Sequence, residues 1–300
     1  MASLTPTREI DLSSLEGRIA FSAGPSHAED VYGIKADGTG LFRVTSDPAS
    51  DFDPTWSPDG QRIAYRHQTG DDPTTEIYVT GVDGSGATNL TNNDAVVDWG
   101  PAWSPDGALI AWNSNRDQPG GPLHGFVMDP SGTDVRPFAD QIWVEYPAWA
   151  PDSTRIAFMA QFPEGTENYE IFVIDVDGTG LRRLTDSPGS DGWPSWSPDG
   201  TRILFSSVRD DCSISDAPDC QSTGDVGLYH TLYVMNPDGS EQTRLAQRFG
   251  QIADWSPEGR FVVFENVDGS GGLLVMAADG SATAQLPIDL PFPAFPDWIA

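Results

Sequence analysis

The sequence predicts an all-β fold in which six four-stranded antiparallel blades close into a ring, a β-propeller. Three observations carry that expectation. The phrase Trp-Ser-Pro-Asp-Gly stands intact at residues 56–60, 103–107 and 196–200, with looser copies at 149–153 and 255–259 and a stump at Pro296-Asp297-Trp298. Successive tryptophans of the phrase are 47, 46, 47, 59 and 43 residues apart, and a period in this range signals a repeat architecture. Between the phrases lie short apolar runs and turn residues, with no stretch of helical period.

Each period holds four strands. In the unit at Trp56, residues 53–56 form the first, and Ser-Pro-Asp-Gly turns the chain with Pro and Gly in slots that favour a tight turn. Residues 62–65 form the second strand, 76–80 the third, ended by Asp83-Gly84, and 88–91 the fourth. The second strand recurs six times, as Ile19-Ala20-Phe21, Ile63-Ala64-Tyr65, Ile110-Ala111-Trp112, Ile156-Ala157-Phe158, Ile203-Leu204-Phe205 and Val262-Val263-Phe264. The third recurs as often, from Val31-Tyr32-Gly33-Ile34 to Leu273-Leu274-Val275-Met276. Unbroken apolar runs belong to strands covered on both faces. Four-stranded units of this length are propeller blades. The chain begins its pattern at residue 17 with a second strand and ends on a lone first strand at Trp298. A C-terminal first strand joining the N-terminal blade therefore closes the ring and removes an exposed edge. Residues 1–16 are expected as an N-terminal extension and 17–300 as a single domain.

The run Trp-Ser-Pro-Asp-Gly-x-x-Ile-Ala-Phe, then Ile-Tyr-Val with a following Asp-Gly, then Leu-Thr, resembles the WD40-like repeat of TolB-type six-bladed propellers. The resemblance covers residues 17–300 and leaves no counterpart for the N-terminal α/β domain of TolB. It implies a channel that binds calcium or peptide segments. Fold resemblance does not settle function.

The chain has 16 basic and 45 acidic residues, a formal charge of −29, and Lys35 is its one lysine. That excludes nucleic acid, whose phosphates need clustered Lys and Arg. About ten aspartates occupy the repeated turns, where the side chain caps its own backbone. The remaining acids fit a solvated surface or a cationic partner. No apolar run reaches the length of a membrane span, and the opening Met1-Ala2-Ser3-Leu4-Thr5 is not a signal peptide. Cys212 and Cys220, eight apart in a polar insertion of the fifth period, are expected as a disulfide loop or as free thiols. The disulfide points to a periplasmic or secreted setting.

In a propeller, the loops from fourth to first strand share a face with those from second to third. The Ser-Pro-Asp-Gly turns lie on the opposite face and are expected to be scaffold. Function is therefore expected at the first-strand entries, which carry Asp51, Asp53, Asp98, Trp99, Trp143, Glu145, Tyr146, Asp191 and Trp193. Asp51, Asp98 and Asp191 each stand five residues before a tryptophan of the phrase. Equivalent positions converge at the channel mouth, where such carboxylates could hold Ca²⁺ or a basic side chain, or simply cap turns. Carboxylates with aromatics also suit a sugar or a cation. Tyr146 and Trp193 are expected to pack between blades near the axis, and Trp99 and Trp143 to be exposed. His67, His124 and His230, with His27, lie near the second-to-third loops on the same face, but on different blades. No Gly-x-Ser-x-Gly elbow is present.

The sequence thus points to a monomeric, extracytoplasmic, non-enzymatic module holding a protein segment or small ligand over the channel mouth, with Ca²⁺ as the candidate ion. The alternative is a hydrolase or lyase acting on a sugar or ester in the same pocket, with Glu145, Asp51, Asp98 and the histidines as acid–base groups.

Overall fold

The computed structural model describes residues 8–69, 74–93, 96–162, 166, 168–210, 230–267 and 270–300. The Cys212–Cys220 pair and most of the fifth-period insertion lie outside them. The chain forms six blades of antiparallel strands. Blade one joins Ala294–Ile299 to Arg18–Ala23, Asp30–Lys35 and Phe42–Arg43. Blade two is Ser50–Trp56, Arg62–Gln68, Glu76–Gly81 and Thr88–Asn89. Blade three is Asp98–Trp103, Ile110–Ser114, His124–Met128 and Arg136–Ala139. Blade four is Glu145–Trp149, Arg155–Gln161, Tyr169–Asp175 and Arg182–Arg183. Blade five opens with Asp191–Trp196, Ile203–Ser207 and Thr231–Met235. One long strand, Thr243–Trp255, closes blade five and opens blade six. Phe261–Asn266, Leu273–Ala277 and Ala282–Gln285 complete the ring.

Closure is as the sequence predicts. Ile19 pairs with Trp298 and Arg18 with Ile299 across the two ends of the chain. The segment before residue 17, expected as an extension, does more. Arg8–Glu9 adds a parallel strand to the outer edge of blade six. A single 3₁₀ turn, Leu12–Ser14, follows, with Asp11 accepting from the Ser13 amide at its start. The Trp298 indole then donates to the Glu16 carbonyl at 3.0 Å.

Among the described residues the core consists of six clusters, each shared by two neighbouring blades. In one, Ala20, Val31 and Val44 of blade one meet Trp56, Ile63 and Tyr65 of blade two. Every cluster contains the phrase tryptophan of its second blade. Each ring buries roughly 200 Å², about 5 kcal/mol of gross hydrophobic gain. Arginines from the preceding blade cover some of these rings: Arg18 lies 4.5 Å from the Trp56 centroid, Arg62 4.8 Å from Trp103, and Arg155 4.9 Å from Trp196.

The rest of the phrase makes the turn. Ser57 Oγ donates to Asp59 Oδ1, the Arg62 amide donates to Ser57 Oγ, and Gly60 takes the left-handed conformation the turn requires. Ser104–Asp106 and Ser197–Asp199 repeat it. These hydrogen bonds hold the Asp59, Asp106 and Asp199 carboxyls below their usual range. Much of the acidity is therefore turn chemistry.

Candidate functional site

Every first strand carries a β-bulge at the same place. In blade two, Phe52 pairs with Arg66 and Thr55 with Ala64, so Asp53 and Pro54 together oppose Tyr65. The register shifts likewise in the other five first strands. The residue three before each tryptophan then takes a left-handed φ: Asp53 50°, Gly100 55°, Tyr146 49°, Trp193 51°, Ile252 44° and Phe295 53°. This conformation costs a non-glycine residue about 1–2 kcal/mol. Proline follows in five of the six and excludes a ladder hydrogen bond there. The bulge turns large side chains toward the axis. Tyr146 stacks on Phe295 at 6.2 Å and 18°, and meets Trp193 at 6.0 Å. Blades four and one are opposite in a six-membered ring, so these aromatics meet across the channel.

On the tryptophan side of this aromatic ring lies a cavity of about 250 Å³, walled by all six first strands. Among the described residues three carboxylates line it, Asp53, Asp254 and Asp297, and no Lys, Arg or His does. Asp254 and Asp297 occupy the position just before the tryptophan, where the other blades have Thr55, Ala102, Ala148 and Ser195. Asp254 accepts from Ser195 Oγ and from the Trp298 amide, both at 2.8 Å. Asp297 accepts from the Trp56 amide at 2.6 Å. Burial pushes both carboxyls above the ordinary range, and the Asp254 charge pushes Asp297 further. Burial also raises Asp53, against the pull of Arg66 3.2 Å away. Desolvated acids without a full set of counter-charges are what a cationic group would relieve.

Of the residues singled out in the sequence, Asp53, Tyr146 and Trp193 line this cavity. The rest sit elsewhere. Asp51, Asp98 and Asp191 are each 0% exposed and engaged inside their own blades. Asp51 accepts from His67 Nδ1 at 2.8 Å; Asp98 from Trp112 Nε1 and Arg116; Asp191 from Arg209 at 2.6 Å and from Ser187. A Ca²⁺ shared by these three would have to compete with the guanidinium groups of Arg116 and Arg209, which already pair with Asp98 and Asp191. Among the described residues, one group of three His and acid side chains brings its donor atoms within 4.8 Å of one another: Asp47, Asp51 and His67.

Glu145 holds Trp143 Nε1 at 2.6 Å and the Tyr169 hydroxyl at 3.3 Å, and its burial raises its pKa. His124 faces Asp117 at 2.7 Å. His230 packs edge-on against Trp193. Trp99 and Trp143, expected to be exposed, are half-buried, and Trp99 lies under Arg66 at 5.4 Å. Sequence reasoning missed Asp254 and Asp297, although an acid directly before the tryptophan in two adjacent blades was a visible signal. Among the described residues no helix is long and apolar enough to cross a membrane.

No protein-family model and no curated protein matches the sequence. Solved structures do match in fold. TolB from Acinetobacter baumannii aligns over 96% of this chain and 67% of its own, at a TM-score of 0.74 and 21% identity. A TolB candidate from Agrobacterium tumefaciens aligns over 91% and 89%, at 0.68 and 21%. An oligogalacturonate lyase in complex with manganese aligns over 93% and 75%, at 0.60 and 15%. The fold is a TolB-like six-bladed propeller.

Proposed function

We propose that this protein is a non-enzymatic binding module, working in the periplasm or outside the cell, that holds a basic protein segment or a small cation in its axial cavity. One observation carries the reading. The cavity is built from all six blades, floored by Tyr146, Trp193 and Phe295, and lined, among the described residues, by three raised carboxylates and no basic side chain. A Lys, Arg or terminal amine entering there gains charge partners in Asp254 and Asp297, with Asp53 beside them already shared with Arg66, and ring faces for cation–π contact. The strained bulges supply a preformed wall, so little ordering entropy is lost on binding.

Selection from a displayed library of nine-residue peptides tests it. Sequences enriched on the wild type should be basic, and should lose about tenfold or more in affinity to Asp53→Asn/Asp297→Asn. Acidic or wholly apolar winners, or unchanged binding to the double variant, would retire the reading. A second reading, a lyase or hydrolase acting on a sugar or ester, draws on Asp254 and Asp297 sharing one cavity, as paired acid–base carboxylates do. Turnover of oligogalacturonate or an aryl ester that Asp254→Asn abolishes would favour it.

A further inference from the structure

We propose that Asp47, Asp51 and His67 form a binding site for a first-row divalent cation such as Zn²⁺ or Mn²⁺ at the head of blade two, separate from the axial cavity. The argument is an internal comparison. Blades two, three and five each begin with a fully buried aspartate five residues before the tryptophan: Asp51, Asp98 and Asp191. In blades three and five the cross-strand partner is a serine, Ser114 or Ser207. That serine accepts from the amide and Nε of an arginine two residues on, at 3.1 and 3.3 Å for Arg116 and at 3.2 and 2.8 Å for Arg209. The guanidinium so held reaches back to the aspartate. The buried charge has a permanent cation built in.

Blade two departs from this at both positions. The partner of Asp51 is His67, and the arginine position is Thr69. A second acid, Asp47, lies on the incoming loop, where its Oδ1 accepts from the Ala49 amide at 2.8 Å. One donor atom from each of Asp47, Asp51 and His67 falls within 4.8 Å of the others. Donors around one small ion sit roughly 3–4 Å apart, given metal–ligand distances of about 2.0–2.2 Å, so a modest closure suffices. Asp51 Oδ2 is buried, as are Asp98 Oδ2 and Asp191 Oδ1 in the other two blades, but Asp51 pairs with His67 where those two pair with a guanidinium, and its carboxylate has lone pairs to spare for a ligand.

The donor set selects the ion. One imidazole and two carboxylates suit Zn²⁺ or Mn²⁺, whereas Ca²⁺ prefers oxygen alone. With the ion on Nδ1, the ring proton resides on Nε2, which lies 3.4 Å from Thr69 Oγ1 and donates there as metal-bound histidines do to an outer oxygen. The Tyr78 ring, 4.4 Å from the imidazole centroid, walls one side, and water fills the remaining positions.

The test uses untagged protein stripped with chelator and titrated calorimetrically with ZnCl₂, MnCl₂ and CaCl₂. One equivalent of Zn²⁺ or Mn²⁺ should bind, with Ca²⁺ at least tenfold weaker. Asp47→Ala, at an exposed position, and His67→Ala should each weaken binding about tenfold or more. His67→Ser/Thr69→Arg, which copies the arrangement of blades three and five, should fold and lose the site. No saturable binding to the wild type, or binding that survives in all three variants, overturns the proposal.

Discussion

Asp297 accepts a hydrogen bond from the backbone amide of Trp56 at 2.6 Å, across 241 residues of sequence. The C-terminal strand is thereby tied to blade two as well as to blade one. Asp254 repeats the arrangement one blade earlier by accepting from the Trp298 amide, and Ser195 donates to Asp254 in turn. A polar chain thus runs through blades five, six, one and two, along the channel wall and across the seam where the ring closes.

Asp297→Ala should leave the Trp56 amide without its acceptor, a loss of about 1–3 kcal/mol, and lower the Tm accordingly. Asp297→Asn keeps an oxygen in place and removes the repulsion from Asp254. The folded pKa of Asp297 lies above its unfolded value, so the folded state holds the extra proton. Stability from this group is present at low pH and falls as pH rises toward the folded pKa. The Asn variant should therefore melt above the Ala variant at every pH, and its Tm should fall less than that of the wild type between pH 5 and pH 8.

Glu265, on the second strand of blade six, is pushed up to about 7 by burial. The same sign applies, and the window runs from about pH 4.5, where the unfolded carboxyl titrates, to about 7. Wild-type stability should decline across that window, by up to about 3 kcal/mol from this group, and level off above it. Glu265→Gln should remove this part of the decline. An unchanged pH profile of thermal unfolding in the variant would contradict it.

The arginine caps on the tryptophans should differ in weight. Arg62→Ala loses a stacking contact with Trp103, worth about 0.5–1 kcal/mol. Arg18→Ala loses the contact with Trp56 and also a hydrogen bond to the Gly60 carbonyl at 3.0 Å. Denaturant titration should show Arg18→Ala as the more destabilising, because it acts at the closing seam. An equal or reversed order would contradict the view of that seam as doubly tied.

The scaffold was legible because one short phrase repeats: Ser57, Asp59 and Gly60 make a turn from local contacts, and Trp56 marks the wedge that recurs in every blade. The closing strand was legible for the same reason, since Trp298 is the same wedge. The site was less so. Counting by twos from each tryptophan puts the fifth, third and first residues upstream on one face. The bulge adds a residue and changes the phase, so Asp51, Asp98 and Asp191 lie inside their blades while Asp254 and Asp297 face the axis. The bulge stands opposite Phe21, Tyr65, Trp112, Phe158 and Phe205 on the neighbouring strand, a pairing that the pattern of the first strand alone does not display. His67 and Asp51 are 16 residues apart and meet only through strand register.

The most direct test of the axial site is the affinity of a library-selected basic peptide for the wild-type protein, measured calorimetrically from pH 5 to pH 8 in buffers of different ionisation enthalpy. A cation entering beside Asp254 and Asp297 must displace the proton their burial retains. Affinity should therefore rise with pH, with proton release on binding, and both effects should shrink in Asp297→Asn. Affinity that is flat or falls with pH, with no proton released, would contradict the account.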